Sequence, residues 1–190
     1  MKGSIFLLVL SLTSCMKQPH FRIDLGDLSD PQVQEKVASR ERDRARITAD
    51  STRVVNIVSR LQLMAQFYNE TMPTMKQDQV NTCAIQLTLF QLALINTKVS
   101  LALATNNGEH LVKRIQKSDY RFDDATVVAQ FAELETSIEK IETDANDSRL
   151  KLIDFFRCMG VRVRLVNPEN PRDVILDTGE VEHPTYTPLY

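Results

Sequence analysis

Residues 83–104, CAIQLTLFQLALINTKVSLALA, decide the fold. Large apolar side chains recur there nearly all round the helix: Ile85, Leu87, Leu89, Phe90, Leu92, Leu94, Ile95, Val99, Leu101 and Leu103. A helix that is apolar nearly all round is either surrounded by neighbours or immersed in a membrane. Lys98, Gln86, Gln91 and Asn96 oppose a membrane span, because a central lysine costs about 2.5–3.5 kcal/mol on insertion scales. The stretch therefore predicts the central core helix of an α-helical domain, spanning 76–106 and ending at Asn107-Gly108.

Outward from this helix, the flanking segments supply partners for it. Asp30-Pro31 reads as a helix start, with aspartate capping and proline at the first helical position. The helix it opens runs over 31–71, its stripe formed by Val33, Val37, Ile47, Val54, Val58, Leu61, Ala65 and Tyr68 at 3–4 spacing, and Pro73 ends it. A short helix is expected near 109–118. Asp123-Asp124 then cap a last long helix over 124–159, whose heptad-like seam includes Val127, Phe131, Leu134, Ile138, Ile141, Leu152 and Phe155, and Gly160 closes it. Three long helices and a short one with short links make an antiparallel bundle, so the fold class is mostly α.

The C-terminal part changes period. Val161, Val163 and Leu165 alternate with Arg162 and Arg164, and Val174-Ile175-Leu176 follows the turn-rich NPENP over 167–171, which predicts a small β-hairpin. Residues 177–190 read as extended or disordered.

The N-terminus carries the most specific signal. Residues 1–15 are MKGSIFLLVLSLTSC: a positive Lys2, a short apolar run, then Leu12-Thr13-Ser14-Cys15. The run is too short to span a bilayer stably and has the anatomy of an export signal. The four residues at its end resemble the lipobox of bacterial lipoproteins. The resemblance implies cleavage before Cys15, diacylglycerol on the Cys15 thiol and usually acylation of the new amine. Several chains anchor firmly, each buried CH₂ contributing about 0.8 kcal/mol. Met16 stands where inner-membrane lipoproteins of Gram-negative bacteria carry aspartate, so the resemblance points to the outer membrane, on its periplasmic face.

The organisation that follows is a signal peptide over 1–14, the lipidated cysteine and a tether over 15–30, the helical domain over 31–160, and a tail with the hairpin over 161–190. The tether reaches at most about 50 Å. Without Lys2 the chain carries 22 basic against 25 acidic residues. That balance gives no electrostatic reason to expect nucleic-acid binding. Five glycines and no tryptophan suit helices better than a turn-rich β fold.

Two cysteines remain after lipidation. In an up–down–up topology Cys83 lies at the top of the second long helix, and Cys158 is carried to the same end by the last one. An oxidising compartment permits a Cys83–Cys158 disulfide; the alternative is two buried thiols acting as small apolar side chains.

Catalytic chemistry is missing from the sequence. His20, His110 and His183 stand far apart, with no metal-ligand spacing, no phosphate-binding glycine loop and no nucleophile elbow. The reading is therefore no enzyme, no metal and no cofactor. Glu139, Glu142, Asp144 and Asp147 read as a solvated face, and Lys113, Arg114, Lys117 and Arg121 as a solvated turn. The charged block at 35–46, EKVASRERDRAR, is the candidate partner-binding region, through Arg40, Arg42, Arg44 and Arg46. A first helix of about 60 Å against about 46 Å for the second would leave that block overhanging the bundle.

These features predict a membrane-anchored envelope lipoprotein that acts as a structural or interaction component, with an envelope protein as partner. The alternative is a carrier that holds a lipid or another apolar ligand between splayed helices.

Overall fold

A computed structural model describes residues 30–117 and 125–179. Residues 1–29, on which the expected signal peptide, Cys15 and nearly all of the expected tether fall, residues 118–124 with Asp123-Asp124, and residues 180–190 lie outside the described residues. The element order is α1 (Pro31–Thr71), a 3-10 turn (Met72–Thr74), α2 (Gln77–Thr82), α3 (Ala84–Ile115), α4 (Ala125–Cys158), β1 (Arg164–Asn167) and β2 (Asn170–Asp177). Mostly α architecture, an antiparallel bundle and a small C-terminal hairpin all agree with the sequence reading.

The start of α1 follows from its cap. The Asp30 carboxylate accepts from the Gln32 amide at 2.8 Å, and Pro31 has no amide to leave unpaired. Along α1, Ile47, Val54, Val58, Leu61 and Tyr68 are buried, the stripe that the spacing predicted.

α3 and α4 pack antiparallel with a near-constant register. Thr97 faces Ser148 at 3.0 Å, Ser100 donates to Asp144, and the Asn107 amide donates to Ser137 at 2.9 Å. Small residues on α3 (Ala93, Thr97, Ser100 and Ala104, all buried) let the two backbones approach closely. The pair is closed along its length rather than splayed.

Three expectations about the second long helix are corrected. First, it does not stop at Asn107-Gly108. α3 continues to Ile115 and absorbs most of the segment read as a separate short helix at 109–118. The reason is packing: Leu111 and Ile115 are 0% and 2% exposed. Each such burial is worth about 1.5–3 kcal/mol, against about 1 kcal/mol for a helical glycine. Second, the short helix of the bundle is α2, because the chain leaves helical geometry at Cys83 (φ −99°, ψ 22°). Third, α3 is not enclosed by neighbours. α1 packs chiefly on α4, so only one face of α3 is covered.

α4 ends in a Schellman motif: the Val161 amide donates to Phe156 O and the Gly160 amide to Arg157 O, both at 2.9 Å. Gly160 has φ 68°, which favours glycine there. The antiparallel hairpin pairs Leu165 with Leu176 and Val166 with Val174, with register irregularities between them. Val163, Ile175 and Leu176 join Tyr68, Phe90 and Phe155 in one core at this end. Tyr68 lies 5.5 Å from Phe90 and 6.4 Å from Phe155, ring centre to ring centre. Thr178 is buried: its hydroxyl accepts from the Val163 amide at 2.9 Å, and its carbonyl accepts from Arg157 Nε at 2.9 Å. With the Arg60–Asp173 ion pair at 2.8 Å, these contacts clamp the hairpin onto α4 and α1. The 161–179 segment is thus an integral part of the core.

Candidate interaction surface

Among the described residues, the exposed large apolar side chains concentrate on the uncovered face of α3. Ile85, Leu89, Leu92, Ile95, Val99 and Leu103 are between 43% and 73% exposed. Ile85, Leu89, Leu92, Asn96, Val99 and Leu103 succeed one another at spacings of 4, 3, 4, 3 and 4, which places them on one line of the helix. That line is about 27 Å long. Lys98 is the only charged residue between positions 84 and 108. Monomeric proteins seldom present so long an apolar stripe unless something covers it.

By length and composition α3 would also cross a membrane. Its buried face carries Thr97 and Ser100 bonded to Ser148 and Asp144 of α4.

Ala93, Thr97, Ser100 and Ala104, together with Phe90 and Leu101, are buried in the bundle, whereas Leu89, Leu92, Ile95, Val99 and Leu103 are exposed. The sequence hides this division because a test for apolar against polar scores Ala93 and Leu92 alike.

The four candidate arginines do not share one surface. Arg40 is buried, and its Nη2 donates to Lys117 O at 2.6 Å, which satisfies a carbonyl beyond the C-terminus of α3. The Arg46 guanidinium lies 4.4 Å from the centre of the Phe131 ring, a cation–π contact. Arg42 and Arg44 are exposed, and Arg44 is 3.7 Å from Glu41. The expected overhang is correspondingly short: because α3 runs on to Ile115, α1 is covered as far as Ser39 and Arg40.

Cys83 and Cys158 are joined, with Cα atoms 5.9 Å apart, at the end of the bundle where the topology placed both. Cys15 lies outside the described residues.

A second polar cluster joins α1 to α4. Arg53 donates to Glu135 at 2.6 Å and to Glu142 at 3.1 Å, and it lies 3.7 Å from Asp50. Burial pushes the Asp50 carboxyl above its ordinary pKa; Glu135 adds to the shift, while Arg53 and Arg46 oppose it. Hydrogen bonding to Glu135 raises the Arg53 guanidinium. Every carboxylate here has a basic neighbour, so the cluster ties α1 to α4. No group of three or more His, Cys, Asp or Glu suited to a metal occurs among the described residues.

No family model matches the chain, and no curated protein or solved structure matches it either.

Proposed function

We propose that the chain is an envelope lipoprotein, held to a membrane by acyl groups on Cys15, that works as a structural or assembly component through its helical domain. The lipobox-like LTSC at 12–15 supports the anchor. The observation that carries the interaction role is the uncovered apolar face of α3. A surface that is apolar and free of charge over about 27 Å gains most by excluding water against another protein.

Labelled palmitate tests the anchor: it enters the parent chain and not Cys15→Ala, and the variant leaves the membrane fraction. Photocrosslinkers placed at Leu92 and Val99 in intact cells test the contact. A recurrent protein adduct supports the reading, and its absence at both positions overturns the interaction role. Lipid that co-purifies with the domain and occupies α3 would favour the carrier instead.

A further inference from the structure

We infer that the partner covering α3 is a second copy of this chain, paired in parallel through the Leu89–Asn96–Leu103 seam. The inference rests on the proposed interaction role and names its partner.

Taken as a heptad, the outer face puts Leu89, Asn96 and Leu103 at a positions and Ile85, Leu92 and Val99 at d positions. A seam of this kind packs best against an identical seam. A lone asparagine at an a position is the usual device that selects register and orientation at some cost in stability. In a parallel pair Asn96 meets its own copy, and the two amides satisfy each other. In the antiparallel pair centred on residue 94, Asn96 faces Leu92 and is left without a polar partner, which costs about 1–3 kcal/mol.

Ile85, Leu89, Leu92, Val99 and Leu103 are 43–73% exposed, and with Asn96 a fully covered seam offers at most roughly 600 Å² per copy, on the order of 1,200 Å² for the pair, which reaches the lower edge for specific stable interfaces. Leucine at a with isoleucine or valine at d favours larger assemblies when a helix is open on all sides. Here the e positions Ala93 and Ser100 are buried against α4, so α3 has room for one neighbour.

The anchor favours the same orientation. Asp30 lies at the opposite end of the bundle from Cys83 and Cys158, and a parallel pair sets both Asp30 ends side by side. In a pair standing upright on the membrane, the antiparallel arrangement lifts one Asp30 about 100 Å above the other, twice the reach of one tether.

Single cysteines at Leu89, Asn96 and Leu103, in the full chain in its own membranes, test this under a mild oxidant. Each is expected to give a band at twice the monomer mass, whereas Lys98→Cys, off the seam, stays monomeric. Leu92→Glu, combined with each cysteine, is expected to abolish the band. A dimer seen only in a mixture of Ile85→Cys and Leu103→Cys chains would mean antiparallel pairing and overturn the proposal. Adducts of another mass at these positions would name a different partner, leaving the interaction role standing and removing self-pairing. No adduct of any kind would remove both. Circular dichroism and an intact Cys83–Cys158 bond establish that each variant is folded.

Discussion

Thr97 and Ser148 meet at 3.0 Å in the middle of the α3–α4 interface, where both are buried. The Thr97 hydroxyl donates to Ala93 O at 3.0 Å, so the Ser148 hydroxyl is the donor in the bond between them. The contact adds a polar tie to the register at a place where the α3 side chains, Ala93, Thr97 and Ser100, are small.

Removing the acceptor alone strands a buried donor. Thr97→Val is expected to cost about 1–3 kcal/mol, and Thr97→Val with Ser148→Ala distinctly less than the two single changes added together. Urea unfolding of the four proteins closes this cycle. Strict additivity would mean that the hydroxyls do not work as a pair.

The disulfide closes the loop between positions 83 and 158, a separation of 75 residues. On the chain-entropy account its loss costs about 4 kcal/mol. Cys83→Ser with Cys158→Ser is therefore expected to lower the urea midpoint strongly and to match the parent measured in reductant. A reductant-insensitive parent would mean that the bond contributes little.

The helical frame was legible because its signals are local. Asp30-Pro31 opens α1, Pro73 follows it and Gly160 closes α4, each through chemistry confined to a few residues. Both cysteines fell at one end because topology alone set their heights. Two things were not legible. Asn107-Gly108 reads as a stop, but Leu111 and Ile115 lie beyond it, and their burial depends on α1 and α4, which no local signal reports. Likewise, an all-apolar helix implies neighbours on every side, and only the placement of α1 on α4 leaves the outer face of α3 bare. The charged block at 35–46 read as one partner-binding region because its arginines were taken together along the chain. Arg40 and Arg46 instead engage Lys117 O and Phe131.

Gly108 offers a direct check on that misread stop. Its φ is not positive, and a Cβ there would meet Leu134 Cδ1 at 3.9 Å, an ordinary contact. Gly108→Ala is expected to stabilise the fold by about 0.5–1 kcal/mol. If the helix ended at this glycine, the same change would destabilise. Thermal unfolding of the two proteins gives the sign.

Asp50 makes a pH prediction. Burial, with help from Glu135, raises its folded pKa above the unfolded value, so the native state holds the proton more tightly. Over the window between the two values the native state binds more protons than the unfolded one. The Asp50 contribution therefore falls as pH rises through that window. Above it the buried carboxylate is a standing cost, which Arg53 and Arg46 offset in part. Asp50→Asn is expected to flatten this segment of the stability-against-pH profile and to leave stability near pH 7 equal or higher. A variant less stable than the parent at pH 7, with the slope unchanged, would show that the ion pair with Arg53 outweighs desolvation.

Asn96 separates affinity from orientation. If two copies pair through α3, Asn96→Leu replaces a polar seam position by an apolar one and should tighten association about tenfold or more. The same change removes the group that rejects the antiparallel arrangement. In the Asn96→Leu background, a mixture of Ile85→Cys and Leu103→Cys chains is therefore expected to crosslink, whereas with Asn96 present it does not. Tighter association with orientation still strictly parallel would assign the choice of orientation to the proposed lipid anchor at Cys15 rather than to Asn96. Repeating the mixture with Cys15→Ala chains then separates the two causes, since without the anchors only a seam that itself discriminates keeps the copies aligned.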